Sequence, residues 1–442
     1  MEKMLGLSHL FMTFFLHSFA ALMVIPAITD VTMSALCPGQ DECSLAIYLT
    51  GIQHAVTGLG TLIMMPLVGN LSDIYGRKTM LIIPMILTII PLVILAYSRT
   101  KNFFYAYYVL KTLTAMICEG SVHCLSLAYV ADNVPENRRA SAFGILSGIG
   151  SCAFVCGNLS TRFLSTSSTF QVAASVAVIA AVYMKILLPE SLIDDAVSTG
   201  KIPKEEMSVS LLDKKSPNKF QIFKTLPSLS DAISLLRSSL TFSQAAIVAF
   251  FLTVADVGLY GSLMYYLKAR FHFNKDQFAD LMVIHGVAGT ISQLLLMPML
   301  TPIVGEEKLL STGLLFCCAH MFLYSIAWSS WVPYVAAMSS ILIVFASPCL
   351  RSIVSKQVGP NEQGKAQGGI SGICSFANIV SPLAFSPLTA LFLSDSAPFQ
   401  FPGFSLMCAG FVAMIAFIQS VMIRAGPSIS NYKVSNCNYV EP

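Results

Sequence analysis

Apolar residues run along this chain in long stretches separated by short polar ones, and most stretches reach the ~20 residues that a helix needs to cross the hydrocarbon core of a bilayer. On that ruler the pattern predicts twelve helical spans, at 7–29, 46–69, 79–97, 104–129, 141–164, 169–188, 240–266, 279–299, 309–328, 333–354, 366–392 and 403–423. Spans 9 and 10 are separated only by the stretch from Ser329 to Val332. The first stretch is too long for a secretory leader and has no small-residue cleavage site before Asp30, so it is read as span 1. After span 6 the pattern is interrupted by a polar run that contains Lys201, Lys204, Glu205, Glu206, Asp213, Lys214 and Lys215. The predicted organisation is therefore a six-span half over 1–190, a linker over 191–239, a second six-span half over 240–424 and a tail over 425–442. The end of the linker, from Leu226 to Leu236, has the pattern of an amphipathic surface helix.

Composition leads to the same class: 55% of the 442 residues are hydrophobic and only 11% are charged, with a mean hydropathy of +0.71. A soluble domain has no use for such a surface, so the bilayer is the first partner. Lys3, Arg77, Lys78, Arg138, Arg139, Lys308, Arg351, Lys356 and Lys365 all fall on the side of the N-terminus, and this bias predicts both termini in the cytoplasm. The formal net charge of +3 follows from that topology and implies no nucleic-acid partner. In the linker basic and acidic residues balance, which argues against a polybasic lipid patch.

The halves are related to each other. "NVPENRRASAFGILSGIGSCAFV" from Asn133 aligns without a gap to "QVGPNEQGKAQGGISGICSFANI" from Gln357, so that Val134, Ala142, Gly144, Ser147 and Gly148 recur as Val358, Ala366, Gly368, Ser371 and Gly372. A second echo pairs His54, Val56 and Gly58 with His285, Val287 and Gly289. Span 5 thus matches span 11 and span 2 matches span 8, the pattern of two parallel repeats about an axis along the membrane normal. A transporter uses such an arrangement; a channel or a membrane enzyme has no comparable need for it.

Between spans 2 and 3, "GNLSDIYGRK" places Gly69, Asp73, Gly76, Arg77 and Lys78 in a tight turn. These residues match G-x-x-x-D-x-x-G-R-K, and "MVIPAITD" in span 1, "AYVADNVPENRRASAFG" at the end of span 4 and "LPES" after span 6 add to the likeness. With them the chain resembles the major facilitator superfamily, in particular the tetracycline/proton antiporter branch and its eukaryotic tetracycline-resistance-like and hippocampus-abundant-transcript-like members. The resemblance implies an all-α membrane fold of twelve helices in two pseudo-symmetric halves. It also implies that Asp73, Arg77, Lys78 and Asp132 form a cytoplasmic gate; the plain alternative is a solvated turn that only fixes topology. "MPMLTPIVGEEKLL", the counterpart between spans 8 and 9, lacks the Asp and the Arg, so the gate is expected to be one-sided.

Ionisable residues inside the membrane are costly, at least ~2.5 kcal/mol each at the bilayer centre, and usually serve function. Glu119 near the middle of span 4 and Asp256 near the middle of span 7 lie on helices that line the central cavity of this fold. A carboxylate in apolar surroundings is suited to taking up and releasing a proton, so Glu119 first and Asp256 second are expected to couple protons or bind a cation. The alternative is a buried acid that merely holds helices together. His123, four residues after Glu119, is expected on the same helical face within reach of that carboxylate, where it could relay the proton or tune the acid. Lys111 is expected to snorkel towards the outer headgroups. Gln53, His54, His285, Gln293 and Asn378 are further cavity candidates, although polar groups in such helices often bridge one helix to another.

The glycine-rich stretch of span 5 ends, in antiporters of this branch, in Gly-Pro; here Asn158 follows Gly157 and joins the cavity candidates. That departure leaves symport and facilitated diffusion open. The twelve cysteines make no zinc pattern, and no metal site is expected. Cys37 and Cys43, in the outward loop "CPGQDEC", could form a disulfide. No nucleotide-binding loop is present, so no cofactor is expected and transport would be driven by gradients. The expected function is secondary, proton-coupled transport of a small organic solute by a monomer. An uncoupled facilitator, or a transporter-like receptor that has lost transport, is the alternative; an enzyme is not expected.

Overall fold

The computed structural model of the chain describes residues 2–36, 44–161, 163–191, 239–273, 275–359, 362–393 and 397–423. Cys37, Cys43, the linker residues 192–238 and the tail 424–442 lie outside them. The described residues contain twelve helical spans long and apolar enough to cross a membrane: Leu5–Met23, Ile52–Tyr75, Arg77–Tyr97, Lys101–Asn133, Glu136–Ser160, Thr166–Leu187, Leu240–Phe271, Gln277–Val304, Glu306–Ser325, Val332–Ser355, Gln363–Leu393 and Phe404–Val421. Each predicted span corresponds to one of these. In lipid every backbone polar group must be satisfied within the protein, which leaves helices as the only elements this composition can use. The outward faces fit lipid as the solvent: Ile83, Ile86 and Ile90 on span 3 and Val178, Ile179, Val182 and Ile186 on span 6 are exposed.

Packing follows one pattern twice. In the first half span 1 packs on spans 5 and 6, span 3 on spans 4 and 6, and span 2 on span 4; in the second half span 7 packs on 11 and 12, span 9 on 10 and 12, and span 8 on 10. Contacts between the halves are paired as well, with span 2 on 11 matching span 8 on 5, and span 4 on 11 matching span 10 on 5. The repeated glycines explain these two seams. A Cβ at Gly144 or Gly148 of span 5 would collide with Met297 and Leu294 of span 8, and one at Gly368 or Gly372 of span 11 with the Met65 carbonyl and Pro66 of span 2.

Two spans are broken at repeat-related points. Span 4 consists of helices Lys101–Cys118 and Ser121–Asn133, joined through Glu119 and a left-handed Gly120 with φ 78°. Span 10 consists of Val332–Ile343 and Ala346–Ser355, joined through Val344 and Phe345. Pro348 gives the second break its physical cause, because it has no N–H to donate to the Val344 carbonyl one turn back. Span 8 carries a π turn at Ser292–Leu296, just before Pro298. There Met297 N–H reaches back five residues to the Ser292 carbonyl.

Candidate functional site

A cavity of about 640 Å³ lies between the halves. Spans 1, 4, 5, 7, 8 and 10 line it, with Phe14, Ser18, His123, Ser147, Ser151, Tyr260, His285, Gln293 and Ser347 among the contributors. The broken elements supply its polar groups. His123 follows the span 4 break by three residues, and its ring lies 5.7 Å from that of Phe14. Ser347 follows the span 10 break and is the repeat partner of His123. Gln293 occupies the π turn and joins three spans: its Oε1 accepts from Ser151 Oγ at 3.1 Å, and its Nε2 donates to the Val344 carbonyl at 3.3 Å. Side chain and backbone break therefore satisfy each other.

A side chamber of about 220 Å³ shares Tyr260, His285, Gln293 and Ser347 with this cavity and ends on Asp256, Cys317 and His320. Tyr260 Oη lies 2.9 Å from His285 Nε2. Cys317 Sγ is 3.9 Å from Asp256 Oδ1, and Asp256 has no ion pair among the described residues. His320 Nδ1 is 2.8 Å from the Ala336 carbonyl, which can only accept, so that nitrogen carries the proton and Nε2 is the acceptor. The chamber thus gathers an acid, a phenol, a thiol and two imidazoles on spans 7, 8 and 9. Such a set can hold a proton or a cation and relay it to the cavity.

Asp256, His123, His285 and Gln293 are the sequence candidates that reach these spaces. Glu119 does not: its exposed side chain sits at the break and lines neither cavity. The continuous helix that would put Glu119 and His123 on one face is absent, because the left-handed Gly120 intervenes. Lys111, Gln53, His54, Asn158 and Asn378 line neither cavity. Asn158 Nδ2 instead donates to the Phe154 carbonyl of its own helix at 2.8 Å, and Asn378 and His54 are exposed. The sequence reading missed Tyr260, one helical turn after Asp256, and His320, an ionisable residue inside span 9; both signals were present in the letters.

At one end of the molecule the turn after span 2 forms a closed network. Asp73 accepts the backbone N–H groups of Gly364 at 2.9 Å and Lys365 at 2.7 Å, in the first turn of span 11, where the helix dipole favours a carboxylate. Arg77 is fully buried, pairs with Asp73, and holds Asp132 through Nε at 2.8 Å. Glu190 accepts the Arg77 N–H at 2.7 Å and the Lys78 N–H at 3.1 Å. Gly69 packs directly on the Gly364 backbone, so the halves touch here without intervening side chains. Arg139 of span 5 adds a bond to the Ser355 Oγ of span 10 at 3.1 Å. The counterpart turn in the second half has an ion pair of its own, Lys356 Nζ to Glu306 Oε1 at 2.8 Å. The absence of the Asp and the Arg there does not leave that turn uncharged.

The fold and its cavity define a membrane protein of two six-span halves. The sequence profile of the Major Facilitator Superfamily matches residues 10–382, and the chain belongs to that family. It is 25% identical to the human Hippocampus abundant transcript 1 protein over 357 residues, covering 78% of this chain and 66% of that protein, just under two thirds of its length. Over 341 residues it is 21% identical to the Escherichia coli class E tetracycline resistance protein, covering 76% of this chain and 77% of that one. The crystal structure of the human organic anion transporter MFSD10 (TETRAN) superposes with a TM-score of 0.75 at 19% identity, covering 95% of this chain and 99% of that one.

Proposed function

We propose that the protein is a secondary transporter that carries a small organic solute by alternating access, with Asp256 coupling the movement to protons. The observation that carries this reading is the cavity between the halves whose side chamber ends on Asp256. A carboxylate at mid-span whose side-chain hydrogen-bond partner among the described residues is a thiol is costly to keep ionised in this setting, and a proton is the smallest partner that relieves the cost. The moving units are 1–190 and 240–424, joined by 191–239, with a tail over 425–442 and both termini in the cytoplasm. Gly69, Asp73, Gly76, Arg77, Lys78 and Asp132 act as the cytoplasmic gate, closed in this conformation by the bonds of Asp73 to span 11. A monomer is sufficient, since the cavity is complete within one chain.

The test is proton flux, read with an internal pH-sensitive dye in proteoliposomes to which candidate solutes are added. The expected result is a solute-dependent flux that survives in Glu119→Gln and is lost in Asp256→Asn. Solute movement without proton flux would favour uncoupled facilitation, the second reading, which Asn158 in place of a helix-bending proline also supports.

A further inference from the structure

Arg351 of span 10 is 9% exposed and has no ion pair among the described residues. The other buried bases differ. Arg77 is neutralised by Asp73 and Asp132, and Arg139, although it too has no ion pair among the described residues, lies within electrostatic reach of Glu136, Asp132 and Glu306. A base taken out of water without a counter-charge is costly, and proteins avoid it unless something else supplies the charge. The guanidinium is nonetheless held in place. Its Nη1 donates to Gln367 Oε1 at 3.2 Å and to Ser371 Oγ at 3.1 Å, and Gln367 Nε2 donates back to the Arg351 carbonyl at 3.2 Å. One edge of the fork is thereby fixed on span 11. The other edge, Nε and Nη2, has no acceptor among the described residues, yet neither atom is sealed from solvent. Arg351 itself lines neither cavity, but Ser347, one turn earlier on the same helix, lines both, and His123 on the cavity wall lies within electrostatic reach of Arg351.

We infer that Arg351 is an anion-recognition site: the free edge of its guanidinium, one helical turn beyond the cavity residue Ser347, receives a carboxylate or sulfonate of a transported solute that enters from the cavity. An Arg fork matches a planar or trigonal oxyanion in two parallel hydrogen bonds, and the clamp by Gln367 and Ser371 presents it without the entropy loss of a free side chain. The solute class is then an organic anion, with its charged group on Arg351 and its apolar part against Phe14. This inference rests on the transport reading but is tested by binding.

The experiment measures the melting temperature of purified protein in nanodiscs with benzoate, hippurate and naphthalenesulfonate, each paired with its neutral amide, for wild type, Arg351→Gln and Arg351→Lys. At least one anion is expected to stabilise wild type while its amide does not. Arg351→Gln should lose about ten-fold or more in anion affinity, as the loss of a charge-assisted contact implies, and Arg351→Lys should keep part of it. Without ligand, Arg351→Gln should melt no lower than wild type, because it removes an uncompensated charge. An anion response that is unchanged in Arg351→Gln overturns the inference. So does a wild type indifferent to every anion whose Arg351→Gln form melts lower, since that is the behaviour of a structural arginine. A wild type that binds the anion but moves no solute in proteoliposomes counts against transport alone.

Discussion

Gly305 repeats the backbone conformation of Gly76, with φ 89° and ψ 154° against φ 93° and ψ 150°, and the residues that follow carry opposite charges. Arg77 reaches Asp132 at the end of span 4, and Glu306 is reached by Lys356 at the repeat-related end of span 10. The two turns are one device built with inverted polarity. In the first half the base is buried and the acids approach it; in the second the acid is buried and the base approaches from water.

That asymmetry predicts unequal costs. Asp132→Asn leaves a fully buried guanidinium with Asp73 alone, and breaking a buried pair in this way costs about 3 kcal/mol. Glu306→Gln releases Lys356, whose side chain is 29% exposed and can turn to water, so about 1 kcal/mol or less is expected. Thermal denaturation in nanodiscs compares the two variants, and equal losses would contradict the description of the second pair as solvent-relieved.

The two glycines separate backbone strain from side-chain contact. Alanine at either position meets a positive φ, worth about 1–2 kcal/mol. At Gly76 the added Cβ would also lie 2.6 Å from Glu190 Oε2, whereas at Gly305 the nearest atom, Glu307 Oε2, is 4.0 Å away. Gly76→Ala should therefore lower the melting temperature more than Gly305→Ala, and it should also loosen the Glu190 cap on Arg77 and Lys78. If the two variants melt alike, the cap contributes nothing to stability.

The seam between spans 2 and 11 should be intolerant of bulk at one glycine and tolerant at its neighbour. A Cβ at Gly368 would lie 2.6 Å from the Met65 carbonyl, while Gly369 has nothing within 4 Å. Gly368→Leu is expected to hold the halves apart at the Asp73 end, and Gly369→Leu to leave them closed. Reaction of Cys124, 1% exposed, with a water-soluble maleimide reads the difference in a background lacking the other cysteines. Faster labelling in both variants, or in neither, would refute the close-packed seam.

Hydropathy revealed the spans, and the repeat revealed the two glycine seams, because lipid and close helix packing act on residue type directly. The site was less legible. A periodic reading treats span 4 as one helix and so misplaces Glu119; only the left-handed Gly120 shows that the helix stops there. Gln293 was visible as a polar residue in an apolar helix, but its partners lie three spans before and two spans after it, and the π turn that aims it leaves no mark in a periodic reading. Arg351 was hidden for another reason: a base near the end of a span reads as a topological signal, and only packing shows that no acid pairs with it among the described residues.

Gln293 allows the link between the span 10 break and the cavity to be tested. Pro348 deprives the Val344 carbonyl of its helical donor, and Gln293 Nε2 replaces that donor while Oε1 holds Ser151 of the other half. Gln293→Met keeps the side-chain volume but loses both bonds, leaving the carbonyl without this donor at a cost of about 1–3 kcal/mol. Ser151→Ala removes only the bond across the halves, and about 1 kcal/mol is expected. Once Gln293 is gone, Ser151 has nothing to hold in span 8, so the double variant should be no less stable than Gln293→Met alone. The same order should appear in the solute concentration that half-saturates transport, because Gln293 and Ser151 both line the cavity. Strictly additive losses in the double variant would show that Ser151 stabilises the protein through some other partner, and that the break in span 10 is not tied to span 5 through Gln293.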